Sequence, residues 1–121
     1  MSAVQTILTL TVVLGIASGQ ILWKLAADSV SASGVVDAVR QLALNPHFLG
    51  GLALYGTMTC LWVFVLQSTP LSRAYPFFAL SFVLVPLLSS LFLSESLTVM
   101  TMLGAGLIVT GIVVMTSNAA V

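Results

Sequence analysis

Four long apolar stretches, from Val4 to Ala27, Phe48 to Leu66, Ser72 to Leu93 and Thr98 to Met115, take up nearly all of the chain. Each is about 18 to 24 residues, enough at ~1.5 Å per residue to cross a hydrocarbon layer of ~30 Å. Of the 121 residues, 60% are apolar and 5% are charged. A water-soluble domain this small has no interior large enough to hide such a surface. The stretches are expected to be helices, because a segment crossing lipid has to satisfy its own backbone. They show no period-two alternation, and a four-stranded barrel cannot close. The expected fold class is an all-α membrane protein: one transmembrane domain over residues 1–121, a four-helix bundle with spans 4–27, 48–66, 72–93 and 98–115 and both termini on one side.

The connections differ in length. Gln67 to Leu71 and Ser94 to Leu97 are tight turns, whereas Asp28 to His47 is longer. Within that longer segment Val35, Val39, Leu42 and Ala43 share one helical face, and Asp37, Arg40 and Gln41 share another. This pattern predicts a short amphipathic helix lying at the membrane surface between spans one and two. Ser33 is placed to cap it, Asn45-Pro46 to end it, and Asp37 to pair weakly with Arg40. The segment reads as a surface connector, with a lid over a substrate entrance as the sharper alternative.

Several function classes fall away. Net charge is zero and there is no basic run, so nucleic acid is not an expected partner. Cys60 is the one cysteine, so no internal disulfide can form, and it reads as a small buried apolar residue. Met1 to Thr6 carries no Lys or Arg, and the apolar run continues past Ala17-Ser18-Gly19, so span one reads as retained rather than as a cleaved leader. No nucleophile–base arrangement, metal-ligand spacing or phosphate loop is recognisable, and His47 is isolated behind Pro46. The expectation is a non-enzyme without metal or cofactor.

Chain direction sorts the polar side chains into two layers. Gln5, Gln67, Arg73 and Tyr75 fall toward the terminal side, and Gln20, Lys24, Asp28 and Glu95 toward the opposite side. Gln20, Lys24 and Asp28 are spaced four apart and line one helical face. Lys24 lies about a turn from the end of its span and can snorkel. It reads either as an interfacial anchor paired with Asp28 or Glu95, or as a compact cation for a phosphate, with Gln20 one turn deeper binding hydroxyls or phosphoryl oxygens. Arg73 reads as an interface anchor or as bidentate capture of an anionic head group. Glu95 either meets a cationic amine or caps its turn. Positive charges on the two sides differ by one residue, a slight bias toward external termini.

Gly15 and Gly19 form a GxxxG step in span one, and Gly104, Gly106, Thr110 and Gly111 a smooth strip in span four. Small residues let helix backbones approach closely in lipid, within one chain or between two. Four helices enclose little interior, which favours a dimer. Pro76 falls in the first turn of span three, where its missing N–H does no harm. Pro86 lies well inside that span and is expected to kink it, as a static bend or as a moving hinge.

Several motifs carry a resemblance. Gly19-Gln20-Ile21-Leu22-Trp23-Lys24 resembles the GQ-x-x-x-K signature of small proteins of the drug/metabolite transporter superfamily. Leu61 to Gln67, followed by Pro70-Leu71-Ser72-Arg73-Ala74-Tyr75-Pro76, is similar to their second-to-third-helix junction, and Phe82 to Val85 with Glu95 continues the likeness. Gly104 to Gly111 resembles the fourth helix of small multidrug resistance proteins. The subgroup most resembled is the subunits of the 4-amino-4-deoxy-L-arabinose–phosphoundecaprenol flippase. That likeness implies a bacterial inner-membrane protein working with an identical or related four-helix subunit, and it favours internal termini. Ser81 stands where this subgroup tends to carry Asn, and Ser94 where it carries Gly or His. The multidrug exporters depend on a glutamate midway along helix one, yet Thr11 to Ile16 holds no carboxylate.

The function expected from the resemblance and the polar layers is flipping of a polyprenyl-phosphate-linked sugar. The lipid tail stays in the bilayer while the head moves between spans one and three past Gln20, Lys24, Arg73 and Tyr75, with Tyr75 stacking on the sugar. The alternatives are a small-solute or multidrug exporter, whose available membrane carboxylate is Glu95, and a non-transporting accessory subunit of a glycosyltransferase.

Overall fold

A computed structural model describes residues 2–31 and 33–117. The described residues are helical nearly throughout, in the order α1 (Ala3–Ser29), α2 (Val35–Ala43), α3 (Pro46–Leu66), α4 (Leu71–Ala74), a 3-10 stretch (Tyr75–Leu80), α5 (Ser81–Phe92) and α6 (Val99–Ser117). Four helices are long and apolar enough to cross a membrane: Ala3–Ser29, Pro46–Leu66, the composite Leu71–Phe92 and Val99–Ser117.

Local chemistry explains the borders. Ser2 and Gln5 make a reciprocal capping box at the start of α1, with Ser2 N–H donating to Gln5 Oε1 at 2.8 Å and Gln5 N–H to Ser2 Oγ at 3.2 Å. Asn45 caps α3: its Oδ1 accepts from the His47 and Phe48 amides, and Pro46 occupies the first turn. Thus Asn45-Pro46 starts a span as well as closing the surface helix. The chain leaves α5 through Ser94, whose φ of 57° is left-handed.

Span one is the hub. Its buried residues Thr9, Val12, Val13, Ala17, Ile21 and Ala26 run along the faces that meet α3 and α5. Gly15 and Gly19 lie under Met58 and Tyr55 of α3, so this small-residue step packs within the chain. In the other direction Trp23 of α1 lies on Gly51 of α3, stacks on Tyr55 with ring centroids 4.4 Å apart, and donates its indole N–H to the Phe48 carbonyl at 3.3 Å. Gln5 Nε2 donates to the Ser68 carbonyl at 3.3 Å and also bonds Ser68 Oγ, tying the start of span one to the turn between spans two and three.

Span four packs on span three, chiefly on its 3-10 stretch, and buries Ile112 alone among its described residues. A Cβ added at Gly104, Gly106 or Gly111 meets nothing within 4 Å, so this glycine strip has no partner among the described residues.

Span three departs from one regular helix. It contains six residues of 3-10 helix beginning at Tyr75-Pro76, ahead of α5, which runs through Pro86. Pro76 has no N–H for the Ser72 carbonyl, and the backbone there tightens to i→i+3 bonding. Ser81 reinforces that register, with Oγ–H donating to the Phe78 carbonyl at 2.7 Å.

Helix α2 buries none of its residues, and Val35 and Val36 are 81% and 85% exposed. Its contacts differ from those expected. Ser33 does not cap by its side chain; its amide donates to Asp37 Oδ2 at 3.4 Å. Asp37 takes its other hydrogen bond from Gln41 Nε2 at 3.0 Å. The carboxylate is thus shared between two neutral donors, and no Asp37–Arg40 ion pair forms among the described residues. Cys60 is exposed on α3 rather than buried.

Candidate functional site

The charged end of span one comes first. Lys24 Nζ and Asp28 Oδ1 are 2.9 Å apart, one turn along the same face, with about half of each side chain exposed. Glu95 follows the end of span three, exposed, and lies near enough for its charge to reach Lys24. The structure therefore pairs Lys24 with Asp28 and leaves Glu95 nearby, outside the ion pair. The Lys24 ammonium is already shared with a carboxylate, and a phosphate would have to exchange with Asp28.

Gln20, one turn deeper, is held differently. Its Nε2 donates to the hydroxyl of Tyr55 on α3. Tyr55 in turn is clamped between Trp23 above and Gly19 below, where the nearest ring atoms come within 2.9 Å of an added Cβ. A phenol buried in lipid needs a polar partner for its hydroxyl, and Gln20 supplies it. Tyr55 was absent from the sequence-predicted site. Its one trace in the sequence is a tyrosine in the middle of an apolar span, with nothing to say which residue lies opposite.

Gln20 also borders a cavity of about 410 Å³ between spans one and three, walled by Ile16, Ser81, Phe82, Val85 and Pro86. A second cavity of about 550 Å³ runs toward the terminal side of span three, past Tyr75, Pro76 and Phe78 to Met115 of span four. The two share Ser81 and Phe82 as walls. Together they make a lateral, lipid-accessible groove from Tyr75 to Gln20. Tyr75 is exposed and lies 5.4 Å, centroid to centroid, from the Phe78 ring. Ser81 entered the sequence reading as a departure from the resembled subgroup; the geometry puts it at the junction of the groove.

Arg73 lines neither cavity; it is half-buried in α4 and engaged within the protein. The five candidate residues therefore fall into three places: Gln20 and Tyr75 in the groove, Lys24 and Glu95 in the charged region beyond one end, and Arg73 near the other. His, Cys, Asp and Glu gather nowhere among the described residues in a group fit for a metal.

Four spans and a lipid-facing groove suit a membrane transporter, and the comparisons agree. Residues 1–117 match the EamA-like transporter family. The chain belongs to that family. This EamA-like protein is therefore a multi-pass membrane protein of a transporter family, not an enzyme. It is 33% identical to the probable 4-amino-4-deoxy-L-arabinose-phosphoundecaprenol flippase subunit ArnE of Hamiltonella defensa over 109 residues, 90% of this chain and 93% of that protein. The probable flippase subunit ArnF of Yersinia enterocolitica is 37% identical over 100 residues, 77% of this chain and 78% of the relative. Against the probable ArnE of Aeromonas salmonicida, identity is 37% over 71 residues, 59% of the EamA-like chain and 62% of that protein's length. No solved structure matches it.

Proposed function

We propose that this chain is one subunit of a flippase that carries a polyprenyl-phosphate-linked sugar, of the aminoarabinose type, across the bacterial inner membrane. The observation that carries the reading is the groove from Tyr75 past Ser81 to Gln20, open to lipid along its length. A polyprenyl chain is as apolar as the bilayer and needs no protein path. A phosphosugar head does, because stripping water from its polar groups costs several kcal/mol per unpaired group, on the order of 2–7. A lateral groove whose largely apolar wall carries Gln20, Ser72, Tyr75 and Ser81, with charged residues near both ends, answers that need. Lys24 and Arg73 act as anion stations on opposite sides, Tyr75 stacks on the sugar, and Glu95 meets the amine.

The second subunit is an identical or a related four-helix chain. Gly104 and Gly111 of span four form the seam, since they share a helix face that none of the described residues covers. Pro86 acts as the hinge that opens the groove to alternate sides.

The test is translocation of a polyprenyl-phosphate aminopentose in proteoliposomes. Lys24→Ala and Arg73→Ala are each expected to slow it by about tenfold, the scale of one lost charge-assisted hydrogen bond. Wild-type rates in both variants would remove the phosphate relay from the reading.

A further inference from the structure

Ser81 and Phe82 are the middle pair of the 22-residue span Leu71–Phe92, so the shared wall of the two cavities lies near the centre of the bilayer. That is where a polar head is furthest from water on either side. The atoms available there are mostly of one chemical kind. Ser81 spends its hydroxyl hydrogen on the Phe78 carbonyl at 2.7 Å, which leaves its oxygen lone pairs. Pro86 has no N–H to return to the Phe82 carbonyl four residues earlier, and both residues wall the same cavity. Gln20 gives one Nε2 hydrogen to Tyr55, which leaves Oε1 as an acceptor beside the second N–H. All three oxygens are hydrogen-bond acceptors.

We infer that Ser81 Oγ, the Phe82 carbonyl freed by Pro86, and Gln20 Oε1 form an acceptor-rich station at mid-membrane that receives the hydroxyl and ammonium hydrogens of the sugar. The inference rests on the flippase reading and deepens it by assigning where the sugar, as distinct from the phosphate, is recognised. A phosphate has acceptors of its own and gains little from a wall in which acceptors outnumber donors. The station therefore selects lipids bearing a donor-rich head, and the phosphate depends on cations elsewhere. The proline serves a second purpose on this account: besides bending the helix, it exposes a backbone oxygen that an ordinary helix would have used.

The experiment reconstitutes the full chain, in the assembly with which it purifies, and follows two probes. One is a polyprenyl-phosphate aminopentose, the other the same polyprenyl phosphate without sugar. Ser81→Ala is expected to slow the glycosylated lipid about fivefold, the effect of one neutral hydrogen bond, and to leave the bare phosphate lipid unchanged. Ser81→Thr, which keeps the hydroxyl, restores the glycolipid rate. Equal slowing of both lipids, or wild-type rates for both, in Ser81→Ala would overturn the station while leaving the flippase reading standing. Failure of the wild-type assembly to move either lipid would remove the flippase reading, and the station with it.

Discussion

Single side chains decide how tightly this small bundle is held. Gly51 receives the Trp23 indole and Gly19 the Tyr55 ring, so an added methyl group at either position collides with a rigid aromatic plane. Gly19→Ala and Gly51→Ala are each expected to destabilise the protein by about 1–3 kcal/mol, the range for overpacking, read as a lowered melting temperature in detergent. Gly15→Ala meets the flexible end of Met58 and is expected to cost less. Ser94 offers the opposite case. Its φ of 57° suits glycine, and Ser94→Gly is expected to raise stability by about 1 kcal/mol in the same measurement. At this scale the sequence was partly legible. The four-residue spacing of Lys24 and Asp28 offered their pairing as one of the readings of Lys24, and the resemblance had marked Ser94 as a place where glycine or histidine is usual. Tyr55 was not legible, because its importance depends on which residue of another span lies opposite.

The elements were legible in number and extent, since apolar length alone dictates a membrane helix and the four runs end within a turn of the helices observed. What hydropathy cannot carry is the state of the backbone inside a run. The 3-10 stretch Tyr75–Leu80 is as apolar as its neighbours, and Pro76 looked harmless when assigned to a first turn. Its loose hydrogen bonding makes a local expectation. In hydrogen exchange, amides of Phe77–Leu80 should exchange faster than those of Val83–Val85, and Pro76→Ala should slow them by letting α-helical bonds form. Uniform protection across span three would mean that the stretch is not a weak point. The amphipathic segment makes another. Spin labels at Val35 should be reached by oxygen and shielded from a water-soluble quencher, and labels at Arg40 should behave in reverse, if α2 lies in the interface with its exposed valines in lipid.

Across the whole molecule the packing is lopsided. Span one touches spans two and three along much of its length, span four leans chiefly on span three, and Gly104, Gly106 and Gly111 face open space. In lipid an uncovered apolar face is no defect by itself, because tails cover it as well as protein would. A strip of small residues differs from a leucine face, however, since its close-approach geometry gains contact only when another helix backbone fills it. With the Gly15–Gly19 step used inside the chain, the span-four strip remains for a second subunit. Gly111→Leu should then leave the monomer's melting temperature unchanged, because no described residue beyond its own turn of helix lies within 4 Å of the new side chain's first carbon. The same change should loosen the dimer by about tenfold or more, as overpacking of ~1–3 kcal/mol implies, read by disulfide trapping between cysteines introduced at Leu107 or by dilution in detergent micelles. Lys24→Ala is the control that should alter neither quantity. A dimer equally strong with Gly111→Leu would move the seam off span four and leave the lipid-facing groove between spans one and three as the surface a partner covers.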